Sequence, residues 1–393
     1  MRQAVIVSAT RTPIGSFNGT LRSVPATKLG SIAIGEALKK TQLSGDEVDE
    51  VIMGNALPAG LGQAPARQAA LGASLPNSVG CTTVNKVCGS GLKAVMLATH
   101  AIIAGDAEIL VAGGMESMSN APYLLTQARS GYRMGSGELV DSMIHDGLWD
   151  VYNQFHMGAA AEICARMLKI SRQEQDEYAL MSYERARKAQ DAGALAREIV
   201  PVNVPGNWSA SATVSQDEEP KRISLANLPN LKPAFEKHGS VTAGNASSIS
   251  DGAAALVVMS DNKARILGLR PLAKIIGFTT YATEPAWFTT APAKAIQALL
   301  QRTDRSVAEI DLFEINEAFA VCSIAVNREL GLDSNKVNVR GGAVALGHPI
   351  GASGARILTT LIQALEDLDK RCGVASLCIG GGEAVAMMLQ RES

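Results

Sequence analysis

Apolar positions along the chain fall into two alternating textures. The runs Ala4–Ser8, Glu50–Gly54 and Glu108–Ala112 read as strands, and Thr27–Lys40, Ala66–Leu71 and Ser90–Ala104 between them carry helical spacing. This alternation predicts a mixed sheet with helices on its faces. The helix expected at Ser90–Ala104 stands apart from the rest. Leu92, Val95, Met96, Leu97, Ala98, Ile102 and Ile103 cover nearly its whole circumference, leaving Lys93 and His100 as the strong polar exceptions. A helix that is apolar all round belongs in the interior. From about 117 to 250 the pattern changes. Polar helices at Met157–Leu168 and Arg172–Ala192 are separated by irregular segments rich in Pro, Gly, Ser and Asn, notably Val204–Ser215 and Asn227–Ser240. Such stretches suit functional loops or an inserted subdomain. Past Asp251 apolar strands resume, at Ala254–Ser260, Leu272–Phe278, Leu312–Ile315 and Val374–Cys378.

The pattern also echoes itself. Ser90-Gly91-Leu92-Lys93-Ala94-Val95 opens the buried helix, and a strand then leads into Val111-Ala112-Gly113-Gly114-Met115-Glu116. Ser353-Gly354-Ala355-Arg356-Ile357-Leu358 opens a second helix, and a strand leads into Cys378-Ile379-Gly380-Gly381-Gly382-Glu383. Aligned on these glycines, the copies differ by about four residues, placed around 367–373. Duplication of one β/α unit, with both largely uncharged helices central, accounts for the lack of a polar face on either.

Composition narrows the function. The 393 residues are 47% hydrophobic and 19% charged with 37 glycines, which suits a compact α/β protein of two or three domain-sized units. A net charge of −2 argues against a nucleic-acid footprint. Six cysteines without CxxC spacing suit free thiols in a reducing compartment, and five scattered histidines do not suggest a metal site. A strand beginning at Gln3 leaves no room for a targeting peptide, and no apolar run looks long enough to span a membrane, so a cytoplasmic protein is expected.

Five stretches carry candidate chemistry: Cys88 before Gly89-Ser90-Gly91; Asn316-Glu317-Ala318-Phe319; Gly347-His348-Pro349; Cys378-Ile379-Gly380-Gly381-Gly382; and His156-Met157-Gly158. Each has a plain structural reading as well. Cys88 suits a small core residue, His348 a turn, Asn316 a helix cap. The glycine run is followed by Ala-Val-Ala-Met-Met-Leu, a strand, so a tight turn with exposed backbone N–H groups fits better than a phosphate loop. Together they say more. A cysteine at a helix N-terminus, a histidine base, a second cysteine and glycine turns supply the nucleophile, proton carriers and oxyanion donors that thioester and Claisen chemistry require.

On the motifs Asn-Lys-Val-Cys-Gly-Ser-Gly, Asn-Glu-Ala-Phe-Ala, Gly-His-Pro-Ile-Gly-Ala-Ser-Gly-Ala-Arg and Cys-Ile-Gly-Gly-Gly, the chain resembles the thiolases over essentially its whole length, and within them the acetoacetyl-CoA type. The resemblance implies a five-layered αβαβα fold from two related halves, residues 1–118 with 250–268 and residues 269–393, with a loop domain inserted at 119–249. It implies reversible condensation of two acetyl-CoA to acetoacetyl-CoA and CoA by a ping-pong route. Cys88 would be acylated while His348 takes its proton, and Cys378 would deprotonate the second acetyl group. His348 with a water held by Asn316 would form one oxyanion hole, and the backbone N–H groups of Cys88 and Gly380 the other. Ser247 would meet the pantetheine arm of CoA. Leu148, His156, Met157, Ala234, Phe235, Ala243, Ala318 and Phe319 would line its tunnel, with Lys221 or Arg222 at the nucleotide. A homotetramer, a dimer of dimers, is expected, with no required metal or cofactor and no nucleic-acid or membrane partner.

The Cys-Gly-Ser-Gly turn and Met157 resemble the short-chain, biosynthetic-type group, with Met157 closing the acyl pocket. Phe288, also expected at the substrate site, departs from the Met typical of bacterial polymer-forming relatives. With Tyr183 and Val344 it resembles mitochondrial-type enzymes, some of which bind K⁺ through backbone carbonyls and accept 2-methyl-branched acyl groups. A K⁺ site would fall near Tyr183, Ala243, Gly244, Ala246 and Val344. The rival readings are a broader-range 3-ketoacyl-CoA thiolase, a decarboxylating ketosynthase, which would need a histidine where Cys378 stands, and a non-catalytic CoA-binding scaffold.

Overall fold

A computed structural model describes residues 2–205 and 212–392. The N-terminal half contains strands β1 (Ala4–Arg11), β2 (Glu50–Gly54), β3 (Gly80–Val84), β4 (Ile109–Ser117) and β5 (Ser250–Ser260), with helices α1 (Ala26–Thr41), α2 (Pro65–Gly72) and α3 (Ser90–Ala104). Helices α4 (Met157–Met167) and α5 (Arg172–Asp191) belong to the insertion. The C-terminal half contains β6 (Ala273–Ala282), β7 (Leu312–Ile315), β8 (Cys372–Ile379) and β9 (Glu383–Gln390), with α6 (Ala291–Arg302), α7 (Ala320–Leu330) and α8 (Ser353–Asp367).

The strands follow the order β7-β8-β9-β6-β1-β5-β4-β2-β3. The halves are joined at a narrow seam, where Val5 and Ile6 of β1 meet Lys274 and Ala273 of β6. Period-two alternation assigns the faces. Ile6, Leu110 and Leu256 point into one cluster with Leu377, Val385 and Met387 of the other half, and Leu92, Val95, Ile357 and Leu361 of α3 and α8 fill the space between. Val5, Val51, Val111 and Val257 point the other way, onto α1 and α2. Val374, Ala386 and Met388 point onto α6 and α7. The result is helix, sheet, helix pair, sheet, helix: five layers. Each buried Leu or Ile of the central pair contributes about 1.5–3 kcal/mol relative to exposure.

Helix α3 occupies the residues its pattern predicted, and its apolar circumference is explained by sheets on two sides and α8 on a third. Two expectations need correction. The burial ends before the helix does, because Ile103 in its last turn is 52% exposed. The window Val87–Ala104 reaches a mean hydropathy of 1.5 over 18 residues, so one stretch does have the length and composition to cross a membrane. Here it is the central helix between two sheets.

The internal echo holds, but in a different register. Helices α3 and α8 are both 15 residues long, and both following strands begin 19 residues after the helix start, at Ile109 and Cys372. Asp49 accepts the N–H groups of Glu108 and Ile109, and Asp311 those of Arg371 and Cys372, at the same place in each half. No four-residue adjustment is present. Met115, not Val111, is the counterpart of Cys378, and the glycines matched by sequence alone are out of step: Gly113 and Gly114 lie inside β4, whereas Gly380–Gly382 form the turn after β8.

Within the insertion, the segment read as irregular at Val204–Ser215 is bounded by paired strands, Val202–Val204 against Ala212–Val214. The residues between, 206–211, lie outside the described residues. Glu317 ties the insertion to the C-terminal half. It accepts from Tyr178 and Ser182 of α5, from Asn338 Nδ2 and from the Val344 N–H.

Candidate active site

Cys88 lies in a turn that the local sequence forces. Val87 adopts φ 47°, a left-handed conformation that a β-branched residue enters only when its surroundings compel it. Three contacts do so: the Val87 N–H donates to Asn85 Oδ1 (2.9 Å), the Lys86 N–H to Ser90 Oγ (2.8 Å), and Ser90 Oγ to the Val87 carbonyl (2.6 Å). The turn delivers a half-buried Cys88 two residues before α3 begins. Burial, then the nearby Cys378 charge, pushes its thiol up to about 12, opposed by the dipoles of the nearby backbone N–H groups of Gly380 and of Cys88 itself.

His348 sits on the other half, just ahead of α8, with its backbone N–H on the Ser248 carbonyl (3.1 Å). Burial, reinforced by the Arg356 charge, holds its imidazole down at about 3. Nδ1 is 2.6 Å from Ser353 Oγ, and that hydroxyl is also 2.9 Å from the Pro349 carbonyl. When Ser353 donates to Pro349 it accepts from Nδ1–H, and Nε2 is a free base. When it donates to Nδ1, Nε2–H becomes a donor. One imidazole can therefore serve as base or oxyanion donor according to where Ser353 points its proton. Asn316, at the end of β7, is held by its N–H on the Ser376 carbonyl (2.9 Å) and approaches Nε2 with its side-chain amide at 3.4 Å. Its Oδ1 is buried and has no partner among the described residues.

Cys378, next to last in β8, is 1% exposed and packs with Met157, Phe288, Phe319 and two further thiols, Cys164 and Cys322. Beyond it the turn expected at Gly380–Gly382 is present, closing the β8–β9 hairpin across the Ile379–Glu383 pair. Gly381 and Gly382 have φ 96° and 88°, which only glycine adopts at little cost.

These residues meet at the floor of a cavity of about 590 Å³. Cys88, His348 and Gly380 line it directly, while Cys378 and Asn316 stand just behind its wall. Of the expected tunnel residues, Leu148, His156, Met157, Arg222, Ala234, Phe235, Ala243, Ser247, Phe288, Ala318 and Phe319 all line it. Lys221 does not; its ammonium pairs with Asp191 at 3.0 Å, leaving Arg222 as the basic residue of the pair on the wall. Tyr183, Ala243 and Ala246 are also on the wall, while Val344 is buried beside Tyr183 in a neighbouring cluster and Gly244 packs against Leu228.

Aromatic packing shapes the tunnel. His156 caps α4, with Nδ1 accepting the Gly158 N–H at 3.0 Å, so its proton is on Nε2. Its ring stacks on Phe235 at 4.8 Å, and Phe235 meets Phe319 edge-on at 6.1 Å. Ser247 Oγ donates to the Ala318 carbonyl at 2.9 Å and keeps its lone pairs for a guest. The wall also contains Phe17, Met118, Ile223, Ser248, Ile249 and Ile350, which carried no sequence signal because each comes from a connection without periodicity.

Comparison with known proteins agrees along the whole chain. The family model for the thiolase N-terminal domain matches residues 4–262, and that for the thiolase C-terminal domain residues 269–391. Acetyl-CoA acetyltransferase 2 of Arabidopsis thaliana is 54% identical over 391 residues, covering 99% of this chain and 97% of that protein. The acetyl-CoA acetyltransferase of Cupriavidus necator is 51% identical over 393 residues, covering 100% of both. The crystal structure of the Bacillus anthracis acetyl-CoA acetyltransferase superposes with a TM-score of 0.97 at 43% identity, over 100% of this chain and 99% of that one. Two matched halves, the five-layered architecture and full-length relatives lead to one assignment: the chain belongs to the thiolase family.

Proposed function

We propose that this protein is an acetyl-CoA C-acetyltransferase, converting two acetyl-CoA to acetoacetyl-CoA and CoA and the reverse. The observation that carries the reading is that Cys88 of one half and His348 and Gly380 of the other line one cavity together. The names of full-length relatives at about half identity support the same activity.

The chemistry follows from the geometry. Cys88 Sγ attacks the thioester carbonyl as His348 Nε2 takes its proton, and the oxyanion is met by the N–H groups of Cys88 and Gly380. Collapse expels the CoA thiolate, which takes the proton from His348. A second acetyl-CoA enters, Cys378 as the thiolate takes a proton from its methyl group, and the enolate oxygen is held by the Nε2–H tautomer of His348 together with a water on the Asn316 amide. The enolate carbon attacks the acetyl group on Cys88, the C–S bond breaks, the Cys88 thiolate takes the proton from Cys378, and acetoacetyl-CoA leaves. Most of the barrier reduction comes from donors already in place.

The remaining parts of the reading concern binding. The pantetheine arm runs between Ser247 and the His156–Phe235 stack, with Arg222 at the phosphates. The chains assemble as a homotetramer. K⁺ is held by backbone carbonyls beside Tyr183; equal rates with K⁺ or Na⁺ as the sole monovalent cation would remove that element. The assay is thiolytic loss of acetoacetyl-CoA absorbance. Wild type is expected to turn over, and Cys88→Ala and Cys378→Ala to fall by about a thousandfold or more. Near-normal turnover of Cys88→Ala would overturn the nucleophile assignment. Cleavage of longer 3-oxoacyl-CoAs as fast as the four-carbon substrate would favour the broader-range thiolase.

A further inference from the structure

The site is assembled across two halves whose sheets meet at a short seam, β1–β6, and whose central helices α3 and α8 pack between them. The backbone at the cavity floor comes from both sides: Cys88 from the N-terminal half, Gly380 from the C-terminal half. Three side-chain approaches also join these turns. Ile379 fills the open face of Gly89, where an added Cβ would fall 2.5 Å from Ile379 Cδ1. Val87 Cγ1 lies 4.0 Å from the position of a Gly380 Cβ. The third contact is ionic: Lys86 Nζ pairs with Glu383 Oε2. Lys86 is two residues before Cys88, and Glu383 is the first residue after the Gly380–Gly382 turn.

We infer that the Lys86–Glu383 ion pair is a positioning device, locking the Cys88 turn onto the Gly380 turn and so setting the gap between the two oxyanion donors. Neither side chain lines the cavity, so neither touches substrate. Both are partly shielded, with side chains 21% and 35% exposed, unlike the freely solvated pairs on the surface. The left-handed Val87 gives the pair something to hold, because a strained residue relaxes unless the turn is gripped on both sides. Its internal contacts grip the turn from within the N-terminal half; Lys86–Glu383 is the polar grip from across. The opposite grip also exists. Glu116 of β4 accepts the Gly351 N–H at 2.9 Å, three residues beyond His348. Each catalytic turn is thus held by a carboxylate of the other half.

The inference rests on the acetyltransferase reading, and the experiment separates the two. Acetyl exchange between acetyl-CoA and labelled CoA is measured for wild type, Lys86→Met, Glu383→Gln, Lys86→Arg and the charge-swapped Lys86→Glu/Glu383→Lys, with thermal melts to confirm folding. No exchange by wild type would sink the reading itself. With exchange present, each neutralising variant is expected to lose about tenfold in kcat with KM within about twofold, since donor geometry acts on the transition state. Lys86→Arg is expected to stay near wild type, and the swap to recover most of the loss. Wild-type kcat in both neutralised variants would make the pair an ordinary surface contact and overturn the inference. So would a fall in KM-binding alone, or a Lys86→Arg as slow as Lys86→Met.

Discussion

Burial pushes the Cys88 thiol up to about 12 and holds the His348 imidazole down at about 3, so the pair is neutral at every ordinary pH. The proposed acylation then starts from thiol and imidazole, with the proton moving as the C–S bond forms. Protonation of His348, which would remove the base, begins only as pH falls towards 3, and ionisation of Cys88 only as pH rises towards 12. Acetyl exchange is therefore expected to be level between about pH 5 and 8, with no step near the ordinary histidine value of about 6.5. A step there in the exchange profile would show that His348 titrates normally. Met157 governs a different property. Its sulfur lies 3.3 Å from where a Gly380 Cβ would stand, so the side chain crosses the cavity floor beside the nucleophile. Met157→Ala is expected to raise kcat/KM for six-carbon 3-oxoacyl-CoA by about tenfold while the four-carbon substrate changes little. Comparing the two substrates on one preparation checks it. Most of these residues were legible in the sequence because each sits in a motif whose types already imply a role. Phe17, Ser248 and Ile350 were not, since what makes them wall residues is where distant loops come to rest.

Helices α3 and α8 approach backbone to backbone at their N-termini. A Cβ on Gly91 would fall 2.8 Å from the Ala355 nitrogen, and one on Gly354 2.3 Å from the Leu92 nitrogen. Each glycine follows the serine that opens its helix, so the duplicated Ser-Gly pair is a packing requirement repeated by symmetry. Gly354→Ala is expected to cost about 3 kcal/mol as the helices are forced apart, read as a lower denaturant midpoint. A stability within about 0.5 kcal/mol of wild type would mean the crossing can yield. Glu116 is the second element-scale anchor. Oε1 takes Asn55 Nδ2 and the Leu57 N–H, while Oε2 takes the N–H groups of Ala56 and Gly351. Glu116→Gln places an amide against one pair of donors and is expected to destabilise by about 2 kcal/mol, with activity falling alongside because Gly351 belongs to the His348 turn. Unchanged melting would refute that grip. Existence and type of these elements were legible, and α3 even to its ends. The far end of β4 was not, because the strand read at Glu108–Ala112 stops short of Gly113 and Gly114; these glycines instead let β5 and the loop before α8 pass within 2.1 Å of where their Cβ atoms would be.

At the scale of the molecule, the same duplication that repeats the fold also divides the chemistry. In the proposed mechanism the N-terminal half supplies Cys88 and the C-terminal half supplies His348, Asn316, Cys378 and the Gly380 N–H, so the floor of the cavity lies where the turns of the two halves meet. The insertion provides most of the walls and roof. This division explains which features the sequence could show. Motifs and central helices repeat locally and are visible; the register of the echo, the shape of the tunnel and the ties between halves depend on contacts between residues hundreds of positions apart. The central claim is covalent, and a direct measurement tests it: labelled acetyl-CoA mixed with the protein, quenched in acid, and the labelled peptide mapped. Expected is about one acetyl group per chain on Cys88 in wild type and in Cys378→Ala, and none in Cys88→Ala. Label on another residue, or label persisting in Cys88→Ala, would contradict it.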